Sequence, residues 1–352
     1  MMTKHVSQRF LLLFLAFFVS LPALGQAWLP EKGEGNLSFS YTLGRVDDHV
    51  FSRRPDSFAA LFPIFEMVPA RRFDAGTIDS RTSTFGFSYG ITDRLAIDSS
   101  IAQVGARYQG ILPEAPNDDG KWHSALQDLS IDLRYQVVNN ENLVFTMSLG
   151  TIQPVGKYES LGHTALGKDL SEYSLGTYLG VPLGPAKQSG YFQFNYTYSM
   201  VEDVMRWSLD RQNASAELGL FASNSILLRG FGFWQDTVDG MDWANDLDPN
   251  ILAAAGVHDV AANADFWGLG TGAVASVSSA LDVYLTVSQI VDGSNTHILR
   301  TWTFGVVYNF GRNLQFAPTT DRAGVVRPRQ RRRQELSRRM GRNPPSTMVS
   351  SF

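Results

Sequence analysis

The chain has 352 residues, 18% charged and 44% hydrophobic, with 31 glycines and 12% aromatics; a soluble chain of this length would divide into two or three domains, whereas a β-barrel forms one unit. It has no cysteine, which excludes disulfides, thiolate metal sites, cysteine nucleophiles and a cysteine-linked lipid anchor. The net charge of −4 hides an asymmetry, because Gly311 to Phe352 carries ten arginines against two acids, Asp321 and Glu335, and Glu31 to Phe310 is left at −14.

Met1 to Ala27 reads as a secretory signal, with Lys4 and Arg9 as its basic start and Phe10 to Val19 as its apolar core. Gly25 and Ala27 are small residues suited to cleavage before Trp28, and cleavage after Gly25 is the alternative. The apolar run is short for the roughly 20 residues of a spanning helix, so removal is expected rather than anchoring.

Period-2 segments follow. Glu34 to Gly44 alternates Leu37, Phe39, Tyr41 and Leu43 with Asn36, Ser38, Ser40 and Thr42. After a long segment, Arg45 to Thr77, the stretch Ser83 to Ile101 forms a hairpin around Gly90 to Arg94, with Phe85, Phe87 and Tyr89 sharing one face. Leu126 to Lys157 forms the next, turning at Asn139-Asn140-Glu141. Tyr173 to Val181 and Tyr191 to Met200 form a third. Arg206 to Phe221 with Ile226 to Gln235 form a fourth, whose facing is ambiguous because Arg229 shares parity with Phe231 and Phe233. Ala264 to Val277 with Leu281 to Val291 form a fifth, and Ile298 to Phe310 is the last strand.

Twelve strands result, joined by short and long connections in strict alternation. That is the pattern of an antiparallel transmembrane β-barrel of the outer-membrane type, with an even strand number and all short turns at one end. Lipid offers the backbone no hydrogen bonds, so the sheet must close. The first strand must then pair with the last, which puts Leu37–Leu43 against Phe304–Phe310. A secreted soluble β-sandwich is the competing fold. The domain reading is a signal peptide over 1–27, a barrel over 28–310 and a disordered Arg-rich periplasmic tail over 311–352.

YGITDRLAI (Tyr89 to Ile97), DLSIDLRYQ (Asp128 to Gln136) and LGTIQPVGKY (Leu149 to Tyr158) resemble the repeating hairpins of a broad bacterial outer-membrane family. It is described as transporter-like, or as the meta-pathway of phenol degradation family. The resemblance covers roughly Ser83 to Gln193 and rests on turn and strand chemistry. It implies a barrel channel in a Gram-negative outer membrane for small molecules, apolar or aromatic compounds among them. The long first loop and the basic tail depart from the family pattern.

In this frame Asp98, Asp128, Asp132, Arg134, Glu172, Glu217 and Asp282 face the lumen as pore-lining candidates. An acidic lining would favour cations or neutral solutes, while a plugged interior would have Asp132 and Arg134 pair with neighbours. Phe58, Leu61, Phe62, Ile64 and Phe65 in the first loop are too apolar for a solvated loop and are constriction or docking candidates, or else a helix on the rim. The acidic loop Asp236 to Ala262 lacks the spacing of a calcium loop, and neither metal nor cofactor is expected. His123 beside Ser124, and His297 near Ser294, are the pairs that a lipid hydrolase would need, and the expectation is that the chain is not an enzyme. The expected partners are outer-membrane lipid, a small-molecule solute and an anionic periplasmic partner for the tail, with nucleic acid excluded. A structural barrel tethered through that tail is the alternative to a channel.

Overall fold

The computed structural model describes residues 27–52, 71–74, 76–110, 115–184, 189–205, 207–243 and 259–311. In chain order its strands are β1 (Gly35–Val46), β2 (His49–Val50), β3 (Arg72–Phe73), β4 (Gly76–Thr92), β5 (Leu95–Gly110), β6 (His123–Asn139), β7 (Val144–Gln153) and β8 (Glu172–Leu183). They continue as β9 (Gly190–Val201), β10 (Arg211–Phe221), β11 (Ile226–Thr237), β12 (Asp265–Ser276), β13 (Leu281–Ser294), β14 (Thr296–His297) and β15 (Arg300–Phe310). Twelve of them close into an antiparallel barrel, and β14, β2 and β3 form a small separate sheet.

Closure runs through β1, which pairs with β4 on one side and β15 on the other, setting Leu37 against Tyr308, Tyr41 against Phe304 and Leu43 against Trp302. The expected first-to-last pairing is present. Alternation places the large apolar side chains outside: Phe85, Leu149 and Tyr173 are 58%, 64% and 57% exposed. A continuous apolar surface of this kind fits lipid.

Several strand ends differ from the sequence reading, and β5 runs to Gly110 rather than Ile101. β4 starts at Gly76, seven residues before the hairpin read from sequence. β10 starts at Arg211 rather than Arg206, because Val204 and Trp207 exchange backbone hydrogen bonds of 3.0 Å and turn the chain first. The ambiguous parity of β11 also resolves. Arg229, Phe231 and Phe233 all point inward and are buried. They fit because the Phe231 and Phe233 rings lie over Gly270 and Gly268 of β12, where a Cβ would overlap them.

The interior has three levels. At the end of the short turns are Val144, Tyr178, Tyr191, Leu227, Val274, Tyr284 and Val307. A polar waist follows, rich in Ser, Thr, Asn and Gln with interspersed charges. At the end of the long loops the wall turns apolar again, with Val46, Ile78, Val104, Tyr108, Phe231, Phe233, Phe266 and Ile290.

Candidate functional site: a lumen closed at both ends

All seven lumen candidates lie on strands at inward positions, and most are engaged. Arg134 pairs with Asp98, Arg211 with Glu172, and Arg229 with Glu217 at 3.2 Å. Arg229 also donates to Thr286 Oγ1 at 2.9 Å, and Glu217 accepts from Tyr191 and from Gln193 Nε2. Asp132 sits opposite Asp98 across the β5–β6 pair. Asp282, at the turn end, accepts from Ser276 Oγ and Asn309 Nδ2 at 2.5 and 2.9 Å. Asp128 accepts from the Tyr158 hydroxyl at 2.5 Å. The waist is therefore not a bare acidic ring, since three arginines match three of its acids. Two of those, Arg211 and Arg229, were not among the sequence candidates; Arg211 shares the parity of Glu217, which was the available signal, whereas the facing of Arg229 was ambiguous beside Phe231 and Phe233.

The turn end is closed by the segment before β1. Ala27, Trp28 and Leu29 are buried, and Trp28 meets Tyr191 edge-on with ring centroids 5.8 Å apart. The Ala27 carbonyl accepts from Thr146 Oγ1 at 2.6 Å and Gln136 Nε2 at 3.4 Å. The chain then leaves across Gly90: Gly33 N donates to Gly90 O at 2.8 Å, and Gly90 N to Glu34 O at 2.9 Å. A Cβ at Gly90 would collide with the Glu31 carbonyl oxygen, so the glycine of the first hairpin turn is the seat of this crossing. Expected cleavage before Trp28 would remove Ala27, whereas cleavage after Gly25 would retain it.

The loop end is closed by the β7–β8 connection, 154–171, which enters the mouth. Ala165 and Leu166 pack into the apolar wall cluster. Tyr158 secures the loop twice, donating to Asp128 and accepting from Asp169 N at 3.0 Å. Desolvation and the Asp128 hydrogen bond raise the Tyr158 phenol far above its usual range, so it stays protonated as a donor. Desolvation, with Arg211 nearby, lowers the Lys168 ammonium from 10.5 to about 7.

Above this plug lies a buried cluster from five connections. His49 stands 4.2 Å from His297, 5.1 Å from His163 and 6.1 Å from Trp243, measured between ring centroids, and His163 stacks on Tyr108 at 4.3 Å. Asp118 binds His163 Nδ1 at 3.2 Å and the Thr164 amide at 2.9 Å, and Asp259 lies 3.7 Å from His297 Nε2. His49 and His297 also pair across β2 and β14. The mutual contact of these histidines was not legible in the sequence, because nothing local links positions so far apart.

Other sequence candidates lie elsewhere. Phe58, Leu61, Phe62, Ile64 and Phe65 lie outside the described residues, as do Asp246 and Asp248 of the acidic loop. Among the described residues no group of three or more His, Asp or Glu side chains is placed to hold a metal ion. His123 pairs with Asp119 at 2.9 Å and lies half-buried opposite inward Ala106 at the rim of the loop end. The concavity of about 570 Å³ lined by Phe39, Tyr41, Leu285, Phe304 and Val306 opens outward from the barrel wall rather than into the lumen.

No family model matches the chain, and no curated protein matches it. Among solved structures it is similar to the COG4313 outer membrane channel from Pseudomonas putida F1, with a TM-score of 0.60 and 11% identity over 81% of this chain and 98% of that one. Weaker likenesses include the NanC porin, with a TM-score of 0.43 and 7% identity over 77% and 98%. A TodX monoaromatic hydrocarbon channel mutant has 0.42 and 11% over 81% and 92%. At these identities the likeness is one of fold, and that fold is the outer-membrane barrel.

Proposed function

We propose that this barrel is a channel in the outer membrane of a Gram-negative bacterium, passing small molecules, apolar or aromatic compounds among them. At rest it is shut by two inserted segments of its own chain. The observation that carries this reading is the manner of closure. The lumen is stopped by segments entering from its ends and joined to the wall by hydrogen bonds and side-chain packing, while the wall itself is continuous. A barrel serving only as structure gains nothing from removable stoppers. The fold it shares with a protein described as an outer membrane channel supports the same reading.

In the open state Asp98, Asp128, Asp132, Arg134, Glu172, Glu217 and Asp282 line the passage, and the apolar wall at the loop end receives the solute first. Apolar lining there and hydrogen-bonding groups in the waist suit compounds with an apolar body and few charges. The signal sequence ends at Gly25 in this reading, which keeps Ala27 in the plug, and the tail 311–352 lies in the periplasm.

Liposome swelling with aryl glycosides against free sugars, run on the wild type, W28A and Y158F/L166D, tests the reading. Flux that favours the aryl compounds is expected once the plugs are loosened. Absence of flux from every plug variant overturns the channel.

A further inference from the structure

The outward wall at the loop end carries a row of arginines that the channel does not use. Across β15, β1, β4 and β5 the outward positions pair as Arg300 with Arg45, Arg45 with Asp79, and Asp79 with Arg107. Two residues deeper, Arg81 faces Leu43 and lies across Gly105, where a Cβ would come within 3.0 Å of its Nε. Arg81 and Arg107 both stack on Trp122, at 4.4 and 5.1 Å from the ring centroid. Asp79 accepts from Arg107 at 2.6 Å and lies 3.8 Å from Arg45, and Asp47 lies 3.6 Å from Arg45. Arg45, Arg81 and Arg107 thus lie beside two carboxylates, on a body that is otherwise strongly acidic.

The height of the row is telling. The 11-residue β15 runs from Phe310, stacked with Tyr89 and Phe87 in the aromatic belt of the turn end, to Arg300. At about 3.3 Å per residue and a tilt of about 40°, that is about 25 Å, the height of the lipid-facing band. The arginines thus sit at the far headgroup level, with Leu43, Phe85 and Trp302 exposed to acyl chains below them.

We infer that this row is a binding site for the phosphates of a phosphorylated saccharolipid of the outer leaflet, the lipid A moiety of lipopolysaccharide. Guanidinium forks bind phosphate oxygens in a bidentate manner. Arg81 and Arg107, preorganised on one indole, grip one phosphate, and the neighbouring Arg45 reaches a second. The acyl chains lie down the wall over Leu43 and Phe85. The inference rests on the outer-membrane reading of the barrel, but its test is independent of flux.

The test is thermal unfolding of the full-length barrel in detergent, titrated with bis-phosphorylated lipid A, the same lipid with its phosphates removed, or phosphatidylglycerol. Bis-phosphorylated lipid A raises the midpoint and binds at least about tenfold more tightly than the dephosphorylated form, and phosphatidylglycerol does not replace it. In R81Q/R107Q the advantage of the phosphates disappears. Equal effects of the two lipid A forms overturn the proposal, and that arm needs no variant to fold. So does an equal response to phosphatidylglycerol, which reduces the row to a general anionic-lipid contact, or an unchanged response in R81Q/R107Q.

Discussion

At the turn end one short segment, Ala27 to Pro30, enters the lumen, with the Trp28 indole on Tyr191 and two hydrogen bonds to the Ala27 carbonyl among its contacts. At the loop end five connections converge, and the plug is held by Tyr158, by Asp118 and by the histidine cluster as well as by Ala165 and Leu166. The first closure is built from one short segment centred on Trp28, and the second from several connections. A closure of the first kind opens as a unit when its anchor is lost, whereas the second yields in steps. In the proposed channel the turn end is the gate that opens more easily, and the loop end selects the molecules that reach it.

That contrast presumes a wall that does not yield between the gates. Arg229 is buried with Glu217, and R229M leaves that carboxylate without its cation, costing about 3–5 kcal/mol. Urea unfolding of the refolded barrel measures this, and R229M/E217Q should recover most of the loss. A loss under 1 kcal/mol would mean that the waist is wet and the wall is no barrier between gates.

Breaking the turn-end gate comes next. W28A removes an aromatic whose truncation costs about 3 kcal/mol, or about a hundredfold in the open population. The chain lacks cysteine, so a single S148C beside Tyr178 reports access. An impermeant thiol reagent should label S148C about a hundredfold faster in W28A, with S80C in the loop-end wall unchanged. Acceleration of both sites together would erase the distinction between the gates.

At the loop end Y158F deletes the donor to Asp128, worth about 1–2 kcal/mol. Labelling of S80C should rise about tenfold, less than W28A achieves at its own end. The smallest effect comes from Lys168. Its proton is lost at about 7 in the closed loop and at 10.5 when the side chain is hydrated. Between those values the open loop carries a proton that the closed one does not, so closure strengthens as pH rises through this window. Labelling of S80C should slow accordingly once corrected for the reagent's own pH dependence, and K168M should flatten that slope.

The strands were legible in the sequence because lipid enforces a strict period of two, visible in Leu37 to Leu43 and Phe85 to Tyr89. The first-to-last pairing followed from closure alone. Phe231 and Phe233 were not assignable by parity, because an inward phenylalanine in a polar lumen is accommodated by glycines on another strand, Gly268 and Gly270. The parity that put Glu217 inward also marked Arg211, which was passed over, whereas Arg229 was left open because it shares parity with Phe231 and Phe233. Both plugs escaped notice for a common reason. Trp28-Leu29-Pro30 and Ala165-Leu166 are too short to show periodicity, and what gives them meaning is a cavity built from distant residues. Gly90 shows the same limit: it reads as a turn glycine, and its role as the seat of the entering chain appears only in three dimensions.

The two-gate account is tested most directly by ion conductance across planar bilayers of the wild type, W28A, a loop-end variant combining Y158F with L166D, and the combination of all three changes. Two gates in series predict a wild type that is almost silent, brief openings in either partial variant, and sustained conductance only when both gates are loosened. Sustained conductance in W28A alone would contradict the account, by showing that the loop end is no barrier. A silent triple variant that is still folded would contradict it as well, by showing that the closure lies in the wall.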